Sequence, residues 1–383
     1  MSIYGCLQRQ SIRVFSLHCS ILRQIYTRTT LNPTNFTLRE PKNISSKCVL
    51  VLATQNVLHD VIKESLKHHE KTDLQIVVAG IDSVTPNSQR NGVSEMWLDQ
   101  YVKLHDANLL SERDDFDSAP EEHEDPKSVK SRKNWKQIDK CLKINFSEHS
   151  RVELQPSNTL FSTGNLVTMF YLQPRHLKDQ ASGQILNNLT IDLSSGIIPE
   201  SPPTEIYDKW TPLHSQSDET LKITDCVGNL VKAINKKSAA GYLESNEMLS
   251  NISSKDTEVY VKIFPRSNNH ILRYKVIAGG GGWGSKANIL VLSPNANIHK
   301  GDKIEFYMLT PEDKKHNNNP MSKLPQSLEV IIFERTYEEF SYNSEDCGVE
   351  EVLENVFGCG CEAGFKYNNI MYVSSGERLI VLL

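Results

Sequence analysis

The chain has 383 residues, 38% hydrophobic and 23% charged, with a formal net charge of -5. That length allows one large or two medium domains with a sizeable core. The negative balance excludes a global basic field for nucleic acid, and no run reaches the roughly 18 consecutive apolar residues of a membrane helix.

The first 39 residues contain Arg9, Arg13, Arg23, Arg28 and Arg39, many hydroxylated residues, and no acid before Glu40. On a helix, Ile12, Phe15, Ser16, Cys19 and Leu22 share one face. An acid-free, Arg-rich, Ser-rich amphipathic segment is the signature of a mitochondrial transit peptide. Residues 1–40 are therefore expected to be a presequence, and the protein is expected in the mitochondrion, with the matrix as its compartment.

Cys48–Thr54 is a short apolar run and reads as a buried strand. Asn56 is a candidate cap for a helix carrying Val57, Leu58, Val61, Ile62 and Leu66 at helical spacing. Leu74–Gly80 is a second buried strand, so a parallel strand-helix-strand opening is expected. Val93–Leu98 alternates as an adjacent strand. Residues 105–140 carry an acidic block from Asp114 to Asp125 and a basic block from Lys127 to Lys136 with little apolar content. They predict a disordered charged insertion, open to a protein partner.

Asn158–Leu172 reads as a turn feeding a hydrophobic strand, and the Pro-rich, Ser-rich stretch from Gly196 to Asp218 as a lobe boundary. Val227–Ile234 reads as a helix with Gly228 near its start. Glu258–Phe264, Ile271–Ala278, Ala287–Leu292, Lys303–Met308, Leu328–Phe333, Ile370–Val373 and Leu379–Leu382 read as strands. The expected fold is α+β and two-lobed. A mixed-sheet N-terminal lobe occupies 46–200, and a strand-rich, largely antiparallel C-terminal lobe with flanking helices occupies 219–383.

Gly279-Gly280-Gly281-Gly282-Trp283-Gly284-Ser285-Lys286 nearly spells a phosphate-binding loop, but its last two residues are transposed and a strand-like run follows where a helix is required. Two readings remain. Bare backbone can approach an anion or carboxylate, with Trp283 covering it and Lys286 supplying charge. Alternatively, the segment connects two strands and Trp283 packs in the core. The eight cysteines lack the paired spacing of a zinc site, and neither metal nor cofactor is expected. Cys361 beside Glu362 offers a thiol-dependent alternative, with His176, His214 and His270 as unassigned bases.

Several segments together resemble the fungal branch of the FIST-domain proteins, which have an N-terminal and a C-terminal FIST lobe. Ile76–Gly80 with Ile81-Asp82 is similar to that family's strand ending in Gly-Val-Val-Asp. Asn158–Gly164, preceded by Ser157, is similar to its Ala-Asn-Thr-x-Phe-x-x-Gly motif. Val227–Val231 resembles its Leu-Gly-Asn-Ile-[IV] helix, and Gly279–Gly284 with Leu292-Ser293-Pro294 its glycine loop and the segment after it. Phe357-Gly358 and Cys361–Gly364 resemble its Phe-Gly-x-x-Ser-Glu-x-Gly close, with cysteine replacing serine. The resemblance implies a non-enzymatic small-ligand sensing module whose ligand is an amino acid or another small carboxylate. The expected site is Gly279, Gly280, Gly281, Gly282, Trp283, Gly284 and Lys286 with Asn158 and Asn229. The alternatives are a scaffold using 105–140 and a thiol-dependent acyl-transfer enzyme using Cys361.

Overall fold

The computed structural model describes residues 25–109, 141–157, 168–177, 182–193, 196–199, 202–213, 220–251, 257–266, 271–279, 288–294, 296–310, 329–336 and 349–383. Strands take up 51% of them and helix only 9%. The α+β expectation with flanking helices is therefore overturned in favour of a stack of sheets. Much of the expected helix came from reading short apolar runs by period alone, which does not separate a buried strand from a buried helix.

Individual strands follow the sequence closely. Cys48–Thr54 and Gln75–Ile81 are buried at every position and pair in parallel across the Gln55–His69 helix. That helix buries Val57, Leu58 and Val61, but its N-cap is Thr54, without a side-chain cap bond, in place of Asn56. Val227–Ile234 is no helix: Ile223–Val227 and Leu230–Ile234 form an antiparallel hairpin. Gly228, at φ +57, occupies the first central position of its two-residue turn, where a II′ turn requires glycine. The expected 105–140 insertion is also trimmed at its start, because Lys103–Leu109 pairs antiparallel with Leu186–Asp192. Residues 110–140 lie outside the described residues.

The chain does not divide into sequential lobes at 196–218. The main hydrophobic core draws Leu50, Leu52, Val77, Ile144, Phe146 and Ile191 from the first half and Ile331, Phe333, Phe357, Phe365 and Val381 from the end. Strand pairing joins the same distant segments. Ile25–Leu31 pairs with Glu351–Glu354, Ser150–Leu154 with Phe365–Tyr367, and Ser83–Val84 with Val356–Cys361. An eight-stranded sheet made from Thr211 to Leu309 has its own core around Ile223, Val231, Val261, Ile263, Leu290 and Phe306. It is inserted into a body built by both flanks of the chain.

The seam between insertion and body is polar and aromatic. The Arg273 guanidinium lies 3.9 Å above the Trp210 ring and donates to Glu377 at 2.6 Å and Asp208 at 2.8 Å. Trp210 Nε1 donates to Ser374 Oγ at 2.7 Å. The gap beside Trp210, Tyr274 and Met371 has no interior room for even a water molecule, so it is not a ligand pocket. This seam is packing between two parts of one molecule.

Candidate ligand-binding site

Two of the three parallel pairs among the described residues set the geometry of the candidate site. Cys48–Thr54 with Gln75–Ile81 is the first, and Val330–Arg335 with Val356–Cys361 is the second. Residues that leave the carboxyl ends of parallel strands are free to face a crevice, which is where open sheets bind ligands. Here the two sets of ends are pulled together, because Ser83 and Val84, just past the first pair, bond antiparallel to Gly360 and Cys359 in the second. The approach needs a bare backbone at Gly360: a Cβ there would lie 2.2 Å from Ser83 Oγ and 2.5 Å from Thr336 Oγ1.

Asp82, the first residue past its strand, accepts a 2.7 Å hydrogen bond from the Glu362 amide. Arg90 Nη1 donates to Glu362 Oε1 at 2.6 Å and reaches the Asp82 carbonyl at 3.5 Å. Cys361 Sγ donates to the Gln155 carbonyl at 3.4 Å, and the Ser157 amide donates to the Gly80 carbonyl at 3.0 Å. The Thr336 amide closes on the Cys361 carbonyl at 3.1 Å, and Ser83 and Thr336 share a 2.9 Å hydroxyl contact. Three segments from separate thirds of the sequence, Ile81-Asp82, Gln155–Ser157 and Cys361-Glu362, thus meet at one point.

Burial raises the Asp82 carboxyl above its usual range, opposed by the Glu362 amide and the nearby Arg90 and Arg335 charges. The cluster therefore holds a largely desolvated carboxyl that the charges of Arg90 and Arg335 act on. Ser157 Oγ is buried without a hydrogen-bond partner among the described residues. An unsatisfied buried hydroxyl costs about 1–3 kcal/mol, a cost that a polar ligand can remove.

Cys361 is not built for nucleophilic work. Burial, then the Asp82 charge, pushes its thiol up to about 12, so the reactive thiolate is almost absent at neutral pH. His176 hydrogen-bonds Asp73 at 2.6 Å and makes no contact with Cys361, while His214 and His270 lie outside the described residues. The thiol should resist iodoacetamide at pH 7 in the native protein and react once the chain is unfolded. Rapid native labelling, located by peptide mass spectrometry, would restore the acyl-transfer reading.

Of the residues expected to bind ligand, Gly280, Gly281, Gly282, Trp283, Gly284, Lys286 and Asn158 lie outside the described residues. Gly279 ends the Leu272–Gly279 strand, and a Cβ there would lie 2.2 Å from Leu290 Cδ2, so its bareness serves strand packing. Asn229 sits in the hairpin turn, and its Nδ2 donates to the Leu292 carbonyl at 2.7 Å. Gly279 and Asn229 belong to the inserted sheet, separated by the Leu290–Leu292 strand. Neither is in the Asp82 cluster. Reading the sequence missed Asp82, Arg90, Arg335 and Ser157 as site residues. The available signal was a lone acid straight after the fully buried strand Gln75–Ile81.

Among the described residues, no group of His, Cys, Asp or Glu is placed to hold a metal ion, and no helix is long and apolar enough to cross a membrane. No family model, curated protein or solved structure matches the chain.

Proposed function

We propose that this chain is a FIST-like small-ligand binding module of mitochondria, and that its ligand is an amino acid or a related small carboxylate held at the Asp82 cluster. The observation that carries this reading is the meeting of Asp82, Ser157 and Glu362 at the carboxyl ends of two parallel strand pairs. Each of the three lies in or beside a segment on which the family resemblance rests. Asp82 receives the ligand's ammonium group, and Arg90 its carboxylate.

A ligand carboxylate would take the place of the Glu362 carboxylate on Arg90. Its ion pair with Glu362 joins side chains that are 31% and 48% exposed, and an exposed pair is worth only about 0–1 kcal/mol. A ligand carboxylate in a partly dehydrated site offers more than the bond it displaces.

A thermal-shift panel of free amino acids and small carboxylates tests the reading. A ligand at 100 times its Kd stabilises by about 2.7 kcal/mol, a clear rise in Tm. The rise should vanish in Asp82→Asn and persist in Trp283→Ala. No rise with any compound counts against a ligand site. Loss only in Trp283→Ala moves the site to the glycine loop.

The mitochondrial reading rests on the acid-free, Arg-rich N-terminal composition. Uptake of labelled precursor by energised isolated mitochondria tests it, and a chain left outside the organelle overturns it.

A further inference from the structure

Arg90 leaves a turn that distant parts of the chain hold in place. Val84 and Gln89 exchange backbone hydrogen bonds of 2.8 and 3.0 Å, which close the turn one position before Arg90. Within it Asn87 and Ser88 have φ values of 69° and 54°, a left-handed conformation that residues other than glycine adopt at a cost. Such a conformation persists where surrounding groups fix it, and three groups do so here. Thr85 Oγ1 donates to the Ile332 carbonyl at 3.4 Å. Glu334 Oε1 accepts from the Ser88 amide and, at 3.1 Å, from the Ser88 hydroxyl. Arg378 Nη2 donates to Asn87 Oδ1 at 3.3 Å.

Glu334 and Arg378 are themselves a buried pair. Arg378 reaches Glu334 Oε2 through Nε at 3.0 Å and through Nη2 at 2.8 Å. Their side chains are only 2% and 8% exposed, glutamate first. One carboxylate oxygen therefore holds the guanidinium while the other holds the turn. Glu334 lies on the Val330–Arg335 strand, and the parallel partner of that strand, Val356–Cys361, leads directly into Glu362. The turn that carries Arg90 and the residue that Arg90 pairs with are thus fastened to the same two strands. A buried ion pair adds little stability over apolar residues of similar volume, so stability alone does not account for one beneath this turn.

Building on the binding reading above, we propose that the Glu334–Arg378 pair positions Arg90 for the ligand's carboxylate and so sets the preference of the site for an acid over its neutral analogue. Neither residue touches the ligand. Both act through Asn87 and Ser88, which fix the direction in which the chain enters Arg90. A guanidinium recognises a carboxylate by direction as well as by charge, and a loosened turn forfeits the directional part.

Calorimetric titration of the full chain tests this role, with the twenty amino acids and acetate, lactate and pyruvate as probes, each beside its carboxamide. The parent should bind an acid roughly tenfold more tightly than the matching amide, the order of one charge-assisted hydrogen bond. The double variant Glu334→Leu with Arg378→Met leaves no orphaned charge in the core. It should still melt cooperatively and lose the preference for the acid. In an Arg90→Ala background the same replacement should leave the acid-to-amide ratio unchanged, because both changes remove one contact. Ser88→Ala keeps the ion pair, removes one of its bonds to the turn, and should lower the preference partway. It carries the test if the double variant does not fold. A pair with a merely structural role would shift the melting temperature and leave the ratio intact in these variants. That result overturns the positioning role and leaves the ligand reading standing. A further fall in the Arg90→Ala background also overturns it, because the pair would then act elsewhere. A parent that binds acid and amide equally removes Arg90, and with it this role, from a site that still binds. A parent that binds none of the probes overturns the ligand reading itself.

Discussion

Replacing Arg28 by alanine is expected to remove about 3–5 kcal/mol of stability, read as a lower denaturant midpoint at pH 7. The substitution leaves the Glu95 carboxylate buried in the centre of a six-stranded sheet with its cation gone. The loss should be far smaller in the double variant Arg28→Met with Glu95→Leu, because exchanging both partners for apolar groups leaves no orphaned charge. The pH dependence has a defined sign. Burial already raises the Glu95 carboxyl above its usual range, opposed by Arg28, and losing Arg28 raises it further. An acid with a raised folded pKa holds its proton better folded than unfolded. Its penalty is absent below the unfolded Glu value of about 4.3 and grows as pH rises toward the folded pKa. The deficit of Arg28→Ala should therefore shrink between pH 7 and pH 4. A single variant within about 1 kcal/mol of the parent at pH 7 would mean that Glu95 is hydrated, contrary to the geometry.

Gly358→Ala should be at least as damaging, costing more than about 4 kcal/mol or preventing folding. Gly358 sits at φ +151, where side chains are strained, and an added Cβ would lie 1.8 Å from the Ile332 carbonyl oxygen on the adjacent parallel strand. The obstacle is the Ile332 backbone, so no side-chain rotation relieves it, and the Gly358 amide is itself held by Ser94 Oγ at 2.9 Å. Gly183→Ala is the matched control. Gly183 is at φ +78 with nothing within 4 Å of the added Cβ, so only the conformational strain of about 1–2 kcal/mol applies. Equal effects for the two substitutions would show that the close approach at Ile332 contributes nothing.

Strand existence was legible in the sequence because it depends on local pattern. The runs at Cys48–Thr54 and Glu258–Phe264 carry the β-branched and apolar residues that a pleated surface buries. The hairpin at Gly228-Asn229 was also legible, since Gly-Asn between apolar runs is a turn signal, but the apolar spacing of Leu230, Val231 and Ile234 imitated a helix. The candidate site was legible only in pieces. Asp82 and Cys361-Glu362 stood out separately, yet nothing local joins residues 280 positions apart. Nothing in the local pattern singles out Arg90 or Arg335.

By itself the sequence determined many of the strands, among them the fully buried Cys48–Thr54, and the basic, acid-free character of the N-terminus. Side-chain alternation and charge are carried by neighbouring residues, so one chain suffices to read them. Only the tertiary structure decided which strands pair. It placed Ile25–Leu31 between Gly92–Leu98 and Glu351–Glu354 and turned Arg28 into the counter-ion of a buried acid. It also drew the ends of two parallel pairs onto Asp82. Partner choice is settled by burial and hydrogen-bond satisfaction across the whole core, quantities that no short window of sequence contains.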